Sequence, residues 1–139
     1  MCKKPAIIGV VCGEVLRAGN ATLKKEEKMF RDWVDKFGAA ITVMDTEGNI
    51  LDMNEAAMQA LSGGRNMVGE NLMKCHQQAS IDKMHDMMKN DHPNIYTIEK
   101  NGRKKMIYQA PWYKEDGVIG GLVEISMVIP FEMPHYVRK

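Results

Sequence analysis

Apolar residues along this chain recur at two spacings, and the change from one to the other marks its elements. From Leu23 the spacing is helical: Leu23, Phe30, Trp33, Val34 and Phe37 fall on one face. Lys25, Glu26, Lys28, Arg31, Asp32 and Lys36 fall on the other, as in an amphipathic helix. Thr22 stands at its N-cap, Glu26 and Glu27 suit the positive end of the helix dipole, and Gly38 stops it. The period then drops to two. In Ala40–Asp45, Ile41 and Val43 share one side, which predicts a strand. Asp45-Thr46-Glu47-Gly48-Asn49 has turn chemistry, with Gly48 free to take a positive φ, and Ile50–Met53 is the return strand. Asn54 predicts an N-cap for a short helix, Glu55–Leu61, which Ser62-Gly63-Gly64 ends.

Past Gly69 the chain bends, and Leu72 and Met73 are expected to bury. Ser80 predicts the N-cap of a longer helix to Asn90, with Ile81, Met84 and Met88 at helical spacing and Asp91-His92-Pro93 ending it. The remainder reads as β-structure. Ile95–Lys100 and Lys104–Pro111 flank Asn101-Gly102, the strongest hairpin signal in the chain. Lys114-Glu115-Asp116-Gly117 is a second turn before the longest strand, Val118–Ile129. In that strand Val123, Ile125, Met127 and Ile129 share one face, and Leu122, Glu124, Ser126 and Val128 the other. Gly120-Gly121 predicts a bulge or a close backbone approach. The order helix, β, β, helices, β, β, β is an α+β layout: a five-stranded antiparallel sheet with helices inserted between strands 2 and 3, preceded by an amphipathic N-terminal helix. Helices gathered in one insertion can be cupped against one sheet face, leaving a pocket between the layers.

Composition narrows the classes. A chain of 139 residues with net charge +1 has room for one ordinary core and lacks the basic footprint of an unspecific nucleic-acid or membrane partner. No apolar run is long enough to cross a bilayer. Residues 5–12 read as ordered structure or a sticky arm rather than an export signal, because the apolar run is short and Glu14 interrupts it. Cys2, Cys12 and Cys75 cannot all pair and show no metal-type spacing; with no convincing export signal, a reducing cytoplasm is the expected setting. Thirteen methionines predict either a loosely patterned core or an adaptable groove. No nucleophile–base pair, paired carboxylates or phosphate-cradling loop points to an enzyme.

The run Asp45-x-x-Gly48-Asn49-Ile50-x-x-x-Asn54-x-Ala56, the segment Val68-Gly69-Glu70-Asn71-Leu72 and the three closing strands together resemble a PAS domain, over roughly residues 33–129. Asn71–Ser80 is also similar to the cysteine–histidine form of that segment found in certain bacterial PAS domains. The resemblance implies a sensory or interaction module in residues 39–130, with residues 1–22 an extension, 23–38 the amphipathic helix and 131–139 a tail. It implies a small ligand or cofactor held between sheet and helices, or dimerisation alone, and signal transduction to an effector. No effector segment follows Ile129 in this sequence, so output would pass to an unidentified partner protein or to a longer chain of which this is a piece. A flavin photosensor would need a reactive cysteine where Ser62-Gly63-Gly64-Arg65-Asn66 stands, and that reading is set aside.

The candidate ligand-binding residues are Cys75, His76, His85, Tyr108 and Gln109. Cys75 and His76 could ligate haem iron, but adjacent residues on extended chain point apart; the alternative has His76 bonded to backbone and Cys75 buried as a small apolar residue. His85 lies near the apolar face of its helix, and axial histidines of some haem-binding PAS domains come from the corresponding helix. Phe30, Trp33, Val34 and Phe37 are the candidate dimer interface. Three functions compete: a cytoplasmic, dimeric ligand sensor; a haem or redox-cofactor protein using His76 or His85; and a ligand-free dimerisation scaffold with a filled interior.

Overall fold

The computed structural model describes residues 23–29 and 31–139 and divides between Val34 and Asp35 into two units. Residues 23–29 and 31–36 are helical (α1), and Gly38 lies just past the end. Trp33 is 54% exposed and Val34 half-buried; Phe30 and Thr22 lie outside the described residues.

The second unit carries the sheet. Its elements are β1 (Ala40–Asp45), β2 (Ile50–Met53), α2 (Glu55–Ser62), a single 3-10 turn (Leu72–Lys74), α3 (Gln78–Asn90), β3 (Asn94–Lys100), β4 (Arg103–Tyr113) and β5 (Ile119–Ile129). All pairings are antiparallel, and the spatial order is β2-β1-β5-β4-β3. The last strand is therefore the central one. It pairs with β1 from Ala40↔Ser126 to Asp45↔Gly121 and with β4 along almost its whole length.

Local chemistry explains most of the turns. Asp45 Oδ1 accepts from the Glu47 and Asn49 N–H groups, both at 2.9 Å, and Gly48 sits at φ 87°. Burial alone would raise the pKa of Asp45, but bonds from the Asn49 side chain and from the backbone of Asn49, Glu47 and Gly48 outweigh it and hold the carboxyl below its ordinary value. Asn101 and Gly102 both take positive φ, 54° and 70°, which is the type I′ geometry that matches strand twist.

At Gly120-Gly121 the β4–β5 register shifts. A side-chain carbon on Gly120 would overlap the Trp112 ring, and one on Gly121 the Met44 carbonyl oxygen. The Trp112 indole N–H donates to that same carbonyl at 2.9 Å. The double glycine lets three strands close around one tryptophan.

The free edge of β2 is covered by the bend after α2. Ile50 exchanges bonds with Glu70 and Gly69 (2.9 Å each), and Leu72 N–H donates to Gly48 O. Asn54 joins the two halves of this region. It is fully buried; its Oδ1 accepts from Ile41 and Ala57 N–H, and its Nδ2 donates to Ala39 O. It is thus both the N-cap of α2 and a clasp on the start of β1. Gly63, left-handed at φ 68°, closes the other end of α2.

The N-cap of α3 lies three residues ahead of the expected Ser80. Gln78 is its first residue and Gln77 its N-cap. The Ser80 and Ile81 N–H groups both reach the Gln77 carbonyl, at 2.9 and 3.2 Å, so the first turn is already closed and Ser80 lies inside it. Asp91, at φ 50°, ends the helix.

The core forms two clusters that share Leu72. Met44, Met84, Met87 and Leu122 pack under α3, and Ile50, Met53 and Ala57 under α2. Methionines supply most of its larger side chains, in keeping with their use where the space between helix and sheet is irregular. No helix among the described residues is long and apolar enough to cross a membrane.

Candidate ligand-binding cleft

Side chains of opposite sheet residues alternate between faces. On the face toward α3 one transverse row is polar on all four strands it crosses. Thr42 stands opposite Glu124, Glu124 opposite Gln109, and Gln109 opposite Asn94. Asn94 Nδ2 donates to Gln109 Oε1 at 2.9 Å, and Gln109 Nε2 donates to Glu124 Oε2 at 2.6 Å. The direction of the bonds fixes both amides. What remains on offer is acceptor-rich: the other Glu124 oxygen and the Asn94 carbonyl oxygen.

The next row, Ser126–Ile107–Tyr96, is more apolar, and the one beyond it places Lys105 beside Ile98. Leu72, His76, Ser80, Lys83 and Met84 stand across from this floor, with Leu61 at one side. Between them lies a cleft of about 680 Å³, within the range of small-molecule sites. Tyr96 carries the imprint of its neighbours: burial, and then the charge of Glu124, push its phenol pKa above the ordinary value. Lys83, Lys100 and Lys105 line the same cleft, and none makes an ion pair among the described residues. A more open hollow of about 490 Å³ beside α2, near the Lys36–Glu55 ion pair, has no comparable polar row.

Solved structures with the same arrangement are numerous. The PAS domain of an HTR-like protein from Haloarcula marismortui matches with a TM-score of 0.60 at 14% identity, over 81% of this chain and 99% of its own. The PAS domain of Bordetella pertussis BvgS matches at 0.57 and 18% identity, over 78% and 89%. The PAS domain of the histidine kinase ThkA matches at 0.54 and 19% identity, over 63% and 96%. The fold is that of a PAS domain. No protein-family model and no curated protein matches the sequence.

Within the PAS cleft the expected site residues separate. Gln109 lies at the centre of the polar row, and His76 lines the opposite wall. The Nδ1 of His76 is 2.8 Å from the Leu72 carbonyl, which leaves Nε2 as the other ring atom for an incoming partner. Tyr108 does not join them. It neighbours Gln109 on β4 and pairs with Ile95 and Ile125, so it faces the other side of the sheet. Cys75 is exposed and His85 is exposed, and neither lines the cleft.

Asn94, Lys83, Lys100 and Lys105 were not among the expected site residues. A signal was present for most of them. Once Gln109 faces inward, strand alternation brings Lys105 and Ile107 with it, and the Asn101-Gly102 hairpin register brings Asn94, Tyr96, Ile98 and Lys100.

Proposed function

We propose that the protein is a sensory module that takes a small polar ligand into the PAS cleft and passes the change to a partner, working as a dimer. The observation that carries the ligand part is the hydrogen-bonded Asn94–Gln109–Glu124 row exposed to a 680 Å³ cleft. A scaffold with a filled interior has no use for such space, and burying these groups without partners is unfavourable. Named fold neighbours include sensory and histidine-kinase proteins, which supports the sensory class. The dimer part rests on α1, where Trp33 is 54% exposed.

The ligand test is a thermal-unfolding screen of the purified chain against a library of metabolites. At least one compound is expected to raise the melting temperature of wild type and leave Gln109→Leu unmoved. A library without such a compound refutes ligand sensing in this cleft. Light scattering checks the dimer: a strict monomer at high concentration, unchanged by deleting residues 1–37, removes that part.

Haem is the second reading. One solved neighbour, at TM-score 0.50, is the Vibrio cholerae Aer2 receptor, described as a dual PAS–haem oxygen sensor. His76 favours it, since an imidazole with one nitrogen bonded to a carbonyl is set up to ligate through the other. The floor fits poorly. A flat apolar macrocycle would press on the Asn94–Gln109–Glu124 row and leave polar atoms there without partners. Titration with haemin is expected to give no Soret shift that His76→Ala abolishes, and such a shift would reverse the preference.

A further inference from the structure

Charge in the cleft is divided between its two ends. At the Glu124 row acceptors predominate, one of them a carboxylate oxygen, beside one unused N–H on each amide. Toward the β3–β4 hairpin the lining includes two cations, Lys105 on β4 and Lys100 on β3, and α3 adds Lys83 to the cleft wall. Three lysines without ion pairs among the described residues face one carboxylate in a chain of net charge +1. Between the two ends runs an apolar strip, Ile107 with Tyr96 and then Ile98. Gln109 and Lys105 are four residues apart on one strand, roughly 13 Å between Cα atoms at strand rise. With the lysine stem extended along its own row the charged groups stay about that far apart, and a bond of about 2.8 Å at each end leaves roughly 7–8 Å for the ligand itself.

Resting on the reading of this cleft as a ligand site, we infer that it takes a linear zwitterion. The ligand has a protonated amine at one end, a carboxylate at the other and an apolar spacer of several carbons between. The ammonium donates to the free Glu124 oxygen and the Asn94 carbonyl oxygen. The spacer lies along Ile107 and Tyr96, and the carboxylate meets Lys105 and Lys100. An α-amino acid is too short to reach both ends. A simple anion leaves the Glu124 row unused, and a simple amine meets the lysines as like charge.

Four probes test this on the full chain by amide NMR titration: 6-aminohexanoate, hexanoate, hexylamine and glycine. 6-Aminohexanoate is expected to shift the backbone amides around Lys105, Gln109 and Glu124, and to bind about tenfold or more tighter than the other three. Glu124→Gln, which keeps its size and its acceptor for Gln109, is expected to bring 6-aminohexanoate down to the affinity of hexanoate. Lys105→Gln is expected to bring it toward hexylamine. Hexanoate or hexylamine binding within about threefold of 6-aminohexanoate overturns the zwitterion while leaving the cleft a ligand site. The same holds if Glu124→Gln leaves the ratio unchanged. If none of the four moves a cleft amide at about 10 mM, where even weak binding registers, the zwitterion is overturned, and the library screen then decides separately whether the cleft binds anything.

Discussion

Replacing Asn54 by alanine tests the account of how the first strand and α2 are held together. The wild-type side chain is fully buried and makes three bonds among the described residues: from Ile41 N–H at 2.9 Å, from Ala57 N–H at 3.0 Å and to Ala39 O at 2.8 Å. Alanine removes all three partners at once and opens a small cavity. A lost N-cap costs about 1 kcal/mol, and each buried group left without a partner costs about 1–3 kcal/mol. The backbone can relax around some of these, so the expected loss is about 3–5 kcal/mol. A domain of this size is stable by about 5–15 kcal/mol, so the variant should be close to its limit. The melting temperature should fall by roughly 12–40 °C, taking 4–8 °C per kcal/mol.

Asn54→Asp separates the contributions. It retains the two acceptor bonds but places a second oxygen against Ala39 O. Asn54→Asp should therefore lose less stability than Asn54→Ala, the difference measuring the two acceptor bonds. Urea unfolding followed by far-ultraviolet circular dichroism measures both variants. A loss below about 1 kcal/mol for Asn54→Ala, with an unchanged denaturant slope, would refute the clasp.

Two further expectations concern the sheet end and the helix end. Gly121→Ala should destabilise by more than about 3 kcal/mol or fail to accumulate as soluble protein, because the new carbon overlaps the Met44 carbonyl at a φ of 150°; near-wild-type unfolding in urea would contradict the close approach. At the C-terminus of α3, the Pro93 carbonyl and the Asp86 carboxylate, 2.7 Å from Nε2, raise the pKa of His92 above its usual value. A group with a raised folded pKa contributes stability that is fully present below its unfolded pKa and is lost as pH rises through the folded one. Histidine NMR titration should therefore place the His92 midpoint above 6.5 and show it falling in Asp86→Asn; an unchanged midpoint would refute the pairing.

The sequence declares those parts of the fold that rest on backbone chemistry. Asn54, Gly48, the Asn101-Gly102 turn and the Gly120-Gly121 approach all stand where their residue types require, and the strands between them follow. Which sheet face turns inward is not declared in the same way. Ile41, Val43, Val123 and Ile125 make the more obviously apolar face, yet the helices pack on the other, with Met44 and Leu122. Both faces carry apolar residues, so alternation alone gives the period and not its phase. The site suffers from the same ambiguity. Tyr108 and Gln109 cannot both face one pocket, being neighbours on a strand, and only the register with β5 selects Gln109. Cys75 and His76 stand out by chemical type, but the cleft takes only His76, because the turn at Leu72–Lys74 directs the two differently.

The position of β5 between β1 and β4 has a consequence for how the chain folds. Ala40 must find Ser126, a partner nearly the whole folded unit away in sequence. Until it does, the β1–β2 and β3–β4 hairpins each carry an unpaired strand edge. Such pairing is slow because loop closure precedes any gain from contact. During synthesis, the first hairpin and α2 emerge well before the strand that joins them to the second. A chain whose β5 has yet to dock holds two half-sheets with open edges, the state in which strands of neighbouring chains pair most readily.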